Sequence, residues 1–134
     1  MFFEYDKSAI SAEYYDVLQS LMERWEYEIV EFKEAKSSFN EDKLGQYFSA
    51  LSNEANLKQQ QYGWIVFGVS EREEKHIVGT TYKNNVDGLE KLKYEISKNT
   101  SDGITFLDII ELHPVVSGIE YRVLMFKVPA ATTG

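Results

Sequence analysis

The stretch Gly63-Trp64-Ile65-Val66-Phe67-Gly68-Val69 limits what this chain can become more than any other. It is a short, continuous apolar run with no alternation between apolar and polar positions. That is the pattern of a strand buried on both faces. Such a strand exists only inside a sheet with other elements packed on it, and the flanking sequence supplies them.

Ahead of it, Ser8 or Ser11 can cap a helix running to about Trp25, with Tyr14, Val17, Leu18, Leu21, Met22 and Trp25 at helical spacing. This stripe reads as a packing face against the domain, with a partner chain as the second reading. Ile29 to Ala35 reads as a strand in which Val30 and Phe32 face one way and Ile29, Glu31 and Lys33 the other. Ser37-Ser38-Phe39-Asn40 interrupts it. Asn40 is a good N-cap, Glu41 and Asp42 fall where the helix dipole favours anions, and Phe39 and Leu44 hold the staple positions. Leu44, Tyr47, Phe48, Leu51 and Ala55 then share one helical face.

Asn56 to Tyr62 is a polar surface loop containing Gln59-Gln60-Gln61. After the buried run, Ser70 to Lys75 is a charged turn, and His76 to Gly79 reads as a short hairpin partner. Asn85 or Asp87 caps a helix to about Asn99 with Leu89, Leu92 and Ile96 inward. Ile104 to His113 reads as a central strand and Ile119 to Val128 as the last, joined through Pro114 to Gly118. The order α-β-α-β-β-α-β-β predicts one α+β domain over residues 1–134, a mixed sheet with packed helices and a helical lead-in over 1–25. The end, Pro129 to Gly134, has no closing element, which suggests the N-terminal part of a longer protein.

Charge and composition narrow the function classes. The formal net charge of −8 argues against wholesale phosphate binding. It is uneven: residues 1–32 hold two basic and eight acidic side chains, the rest twelve and fourteen, so a local basic face remains open on the later part. The absence of cysteine excludes disulfides and thiolate metal sites and fits a reducing cytoplasm. No apolar run approaches a membrane span, and the start lacks a signal peptide, so a soluble cytoplasmic protein is expected. There is no P-loop, no G-x-G-x-x-G after a strand and no nucleophile-elbow serine, and His76 and His113 alone do not make a zinc site.

What remains is a charged set at the first helix-to-strand junction: Glu26, Glu28, Glu31, Lys33 and Glu34. Glu31 and Lys33 share a strand face, roughly 7 Å apart at their roots, and Glu26 can fold back towards Glu31. Two such carboxylates can hold Mg²⁺ or Mn²⁺ with waters and a substrate phosphate, which a neighbouring lysine steadies. On periodicity alone the set reads as exposed surface charge, because structural charge clusters outnumber sites.

Four motifs then resemble a known family in order and spacing: Glu26-x-x-x-x-Glu31-Phe32-Lys33, Phe48-Ser49-Ala50-Leu51-Ser52-Asn53, Gly63 to Val69, and Ile77-Val78-Gly79. Together they resemble the Schlafen-type Alba-like DNA-binding domain found at the N-terminus of bacterial transcriptional regulators. The resemblance implies an Alba/Schlafen-core-like α+β fold and nucleic-acid binding, with further C-terminal domains missing from this chain. In Schlafen proteins the fold also serves as a metal-dependent endoribonuclease with three acids. The first two map onto Glu26 and Glu31, which would be both metal ligands and catalytic residues. The third falls at Ser70, with a glutamate only at Glu71, one place on and nominally facing the other way. The loop from Glu54 to Tyr62 also departs from the family's short glycine turn.

Three readings follow, in rank order. The first is a DNA-binding domain of a bacterial transcriptional regulator, with Lys33, Lys36, Lys43 and Lys58 as contacts and weaker claims for Lys91 and Lys93. The second is a Mg²⁺- or Mn²⁺-dependent ribonuclease through Glu26 and Glu31. The third is a protein-interaction module that forms a homo-oligomer through the acidic first helix.

Overall fold

A computed structural model describes residues 2–85, 87–99 and 108–131. The order is α1 (Ala12–Glu23), a 3₁₀ turn (Trp25–Tyr27), β1 (Val30–Lys33), α2 (Glu41–Leu57), β2 (Tyr62–Phe67), α3 (Gly88–Asn99), β3 (Asp108–Leu112), β4 (Val115–Val116), β5 (Ile119–Glu120) and β6 (Val123–Pro129). Four strands form a mixed sheet in the order β1-β2-β6-β3, and β4 and β5 make a separate two-stranded ribbon. β1 runs parallel to β2, whereas β6 is antiparallel to both β2 and β3. The α+β class and the mixed sheet agree with the sequence reading.

The buried run lies where its composition requires. Ile65, Val66, Phe67 and Val69 are all fully buried. Ile65 and Phe67 enter a core with Leu44, Phe48, Leu92, Ile96 and Phe126, beneath α2 and α3. Val66 and Val69 enter the opposite core with Leu18, Leu21, Met22, Val123 and Met125, beneath α1. β6 alternates the same way, with Leu124, Phe126 and Val128 on one face and Val123 and Met125 on the other. Helices therefore cover both faces of the central strand pair, and this double burial dominates stability.

Local choices follow from residue chemistry. The Asn40 side chain accepts from the Lys43 N–H at 3.0 Å and starts α2 as expected. Phe39 packs on Phe67 with centroids 5.1 Å apart, pinning the helix entry to the core. In α1 Tyr15 is buried, and its hydroxyl accepts from the His113 N–H at 2.8 Å. The packing stripe is thus shifted to include a tyrosine that the periodicity had left out.

Three expectations are corrected. β3 lies at the sheet edge, and β6 takes the central place because Phe126 pairs with both Ile65 and Ile109; Ile104 to Leu107 lie outside the described residues. The predicted last strand is broken at Tyr121-Arg122 into β5 and β6, which belong to different sheets. His76 to Gly79 is an irregular segment touching the sheet through one bridge, Val69 to Ile77. Its course is set at Gly68, where φ is +101° and a Cβ would stand 2.9 Å from the Arg122 carbonyl oxygen. The Gly68 carbonyl accepts from the Val78 and Gly79 N–H groups instead of continuing the ladder. Among the described residues no helix is long and apolar enough to cross a membrane.

Candidate functional site

β1 carries the predicted charges to the loop-bearing end of the sheet. Lys33, its last residue, has a side chain only 18% exposed. Its ammonium lies 3.6 Å from Glu31 and 3.5 Å from Glu71, and 5.0 Å from the Tyr47 ring centroid. Burial alone would lower the Lys33 pKa, but Tyr47, Glu71 and Glu31 together hold it above its ordinary value. Glu71 also accepts from the Glu34 N–H at 3.2 Å.

Glu71 is therefore part of the set that strand parity had turned away. β2 ends at Phe67 and Gly68 adopts a positive φ, so alternation does not carry to residue 71. Ser70 has a different task. It is buried; its hydroxyl donates to the Glu74 carbonyl at 2.9 Å and accepts from the His76 N–H at 3.1 Å, closing the 70–76 turn. That turn delivers Lys75, which no spacing signal marks in the sequence. Its ammonium lies 4.9 Å from the ring centroids of both Trp25 and Phe32. Burial lowers the Lys75 pKa, against the pull of Glu31, Glu71 and Glu73.

The predicted lysines divide among three places. Lys36 is exposed in a left-handed turn, and its carbonyl accepts from the Thr81 N–H and the Thr80 hydroxyl, each at 2.8 Å. Lys43, also exposed, sits in the first turn of α2 and lines a cavity of about 310 Å³ with Gln46, Tyr47 and Ala50. Tyr47 thus connects the Lys33 and Lys43 surroundings. Among the described residues neither Lys36 nor Lys43 enters an ion pair. Lys58 lies at the far end of α2, roughly 22 Å from Lys43 along the axis, and pairs with Glu54 at 2.8 Å. Lys91 is exposed on α3, and Lys93 approaches Asp108 at 3.9 Å.

The loop facing Lys36 is held by a residue that sequence reasoning missed. Arg122 donates to the carbonyls of Thr80 (3.2 Å), Tyr82 (2.7 Å) and Lys83 (3.2 Å), and to Glu111 at 3.0 Å. Burial would raise the Glu111 pKa, but His113 and Arg122 hold it below the usual carboxylate value. The Tyr82 ring is buried edge-on to Phe67, and burial pushes its phenol up to about 12.

A family model described as Schlafen, AlbA_2 matches residues 26–134. The chain belongs to the Schlafen, AlbA_2 family. The comparison with curated proteins gives no match. The family match opens at Glu26 and takes in β1, α2, β2 and every strand after them, so α1 precedes it.

For this Schlafen, AlbA_2 domain, the implied Mg²⁺ or Mn²⁺ asks for Glu26, Glu31 and a third acid. As placed, the donors do not form that cage. Glu31 and Glu71 share an ammonium, the residue-70 position carries a hydroxyl committed to its own turn, and Glu26 is exposed on the 3₁₀ turn. Among the described residues no three His, Cys, Asp or Glu side chains converge as metal ligands.

Proposed function

We propose that this Schlafen, AlbA_2 domain binds nucleic acid, and that it serves as the DNA-binding domain of a transcriptional regulator. The observation that carries the reading is the placement of Lys36 and Lys43. Both are exposed cations flanking the start of α2, in a domain whose family match covers that whole region. Ammonium groups beside a helix N-terminus suit a phosphate. Lys33, already neutralised by Glu31 and Glu71, orients this end of the sheet rather than adding free charge.

A salt titration of binding to short duplexes and single strands tests the proposal. Binding should weaken with salt along a log–log slope of about two, and the Lys36→Ala/Lys43→Ala double variant should remove most of that slope on duplex DNA. Absence of binding to either form at low salt would sink it. Incubation with structured RNA and Mn²⁺ reads the alternative, cleavage through Glu26 and Glu31. On the donor geometry above we expect none, and cleavage abolished by Glu31→Ala would establish it.

A further inference from the structure

The opposite end of the sheet carries an arrangement that phosphate contact does not use. α2 stops because Gln59 adopts φ +57° and the Gln60 N–H donates to the Ala55 carbonyl at 2.8 Å. The turn leaves Gln59, Gln60 and Gln61 exposed, and among the described residues no protein group bonds their side-chain amides. β2 then begins at Tyr62, so Tyr62 and Trp64 fall on the same face. These five residues and Tyr27 line one cavity of about 510 Å³, within the range of small-ligand sites.

The exposure of its rings is unusual for a folded surface. Tyr27 is 80% exposed and Tyr62 40%, whereas most of the other aromatic rings are buried or half-buried. Lys127 pairs with Trp64 across β2 and β6, and its ammonium lies 4.0 Å from the Tyr62 ring centroid, holding that ring against the sheet.

We infer that this cavity takes an unpaired nucleobase from single-stranded nucleic acid. Tyr27 and the face of Tyr62 away from Lys127 offer π-surface beside the half-buried Trp64, and the glutamine amides offer donors and acceptors to a base edge. In a duplex both the face and the edge of a base are already engaged, so the occupant is single-stranded. A free phosphate or a phosphopeptide does not suit the pocket, because Lys58 is paired with Glu54 and Glu28 stands on the lining. The inference rests on the nucleic-acid reading above and names the strand form and the groups that the domain grips.

The test uses the full chain with fluorescein-labelled ten-nucleotide oligothymidylate and oligouridylate, and a duplex of equal length. Single strands should quench tryptophan emission through Trp64. Tyr27→Ala and Gln60→Ala should each weaken single-strand binding, the former by about tenfold, and leave duplex binding within about twofold. Both positions are exposed, so unchanged melting curves will exclude unfolding as the cause. Single-strand affinity that ignores both variants but falls with Lys36→Ala/Lys43→Ala overturns the pocket and leaves the broader reading standing. No binding of any of the three probes overturns both.

Discussion

Arg122→Ala tests whether one guanidinium holds the loop that faces Lys36. The side chain is only 13% exposed, and it bonds three carbonyls, those of Thr80, Tyr82 and Lys83. Thr80 and Tyr82 are themselves buried, so truncation leaves their carbonyls without a partner or a clear path to water. At roughly 1 kcal/mol net for each lost hydrogen bond, the three amount to about 3 kcal/mol. Glu111 adds little, because it keeps His113 as a partner and its side chain is 39% exposed, so solvent screens it. For a chain of 134 residues, an unfolding entropy near 0.28 kcal/mol per degree turns this into a fall in Tm of about 11 °C. Thermal and urea denaturation followed by circular dichroism measure it, with an unchanged m value showing that the unfolded state is unaltered. Arg122→Lys should recover less than half of the loss, since one ammonium cannot span three carbonyls and a carboxylate. Glu111→Gln should cost under about 1 kcal/mol. A melting point for Arg122→Ala within about 3 °C of the parent would refute the reasoning.

Other perturbations read other parts of the structure. Ser70→Asp places an acid where the resemblance to Schlafen proteins implies a third one, but the carboxylate cannot donate to the Glu74 carbonyl; it should cost about 2 kcal/mol or more in urea denaturation. Gly68→Ala sets a Cβ 2.9 Å from one backbone atom and 3.3 Å from another at φ +101°, and should lower stability by about 3 kcal/mol, which a purified, melted variant will show. Half-buried Lys33 and buried Lys75 act oppositely on alkaline stability. Lys33, raised above 10.5, contributes stability that is present below that value and lost as pH climbs through its folded pKa. Lys75, lowered from 10.5, makes stability rise with pH in the interval below that value, because the unfolded state there binds more protons. In melting curves against pH, Lys33→Met should flatten the decline and Lys75→Met the rise; identical profiles for both variants would contradict the assignment.

The legible parts of the fold are those decided within a single element. Asn40 announces its helix because capping is a matter of three or four residues, and Gly63 to Val69 announces its burial because it is an unbroken run of apolar positions. The strand order is a different kind of fact. That β6 rather than β3 is central depends on which edges meet, and both runs are apolar enough for either place. Parity failed at Glu71 for a definable reason: the strand ends before it, and Gly68 resets the direction of the chain. Lys75 and Arg122 were illegible because their partners are remote in sequence. Lys75 meets Trp25 and Phe32, and Arg122 meets the 80–83 loop, with nothing local to mark either. At the candidate site, Glu31 and Lys33 share a face as expected, while Lys58 parts from Lys43 because a 17-residue helix separates its ends.

The charge distribution itself bears on how such a domain would hold a polyanion. A chain of net charge −8 cannot do so by attraction at a distance. At the Lys33 end, each cation has acids beside it: Glu31 and Glu71 at Lys33, Glu34 near Lys36, and Glu41 and Asp42 before Lys43. On such a polyanion, two unpaired lysines would release about two counterions, enough to register a strand but too few for tight duplex binding at physiological salt. Affinity beyond that must come from groups whose attraction survives salt. The rings of Tyr27, Tyr62 and Trp64 are such groups; Tyr27 and Tyr62 are exposed at the cavity, and Trp64 lines it while packing on the α1-side core. A domain built this way would prefer strands whose bases are already open, with the lysines setting polarity and the aromatic pocket setting strength.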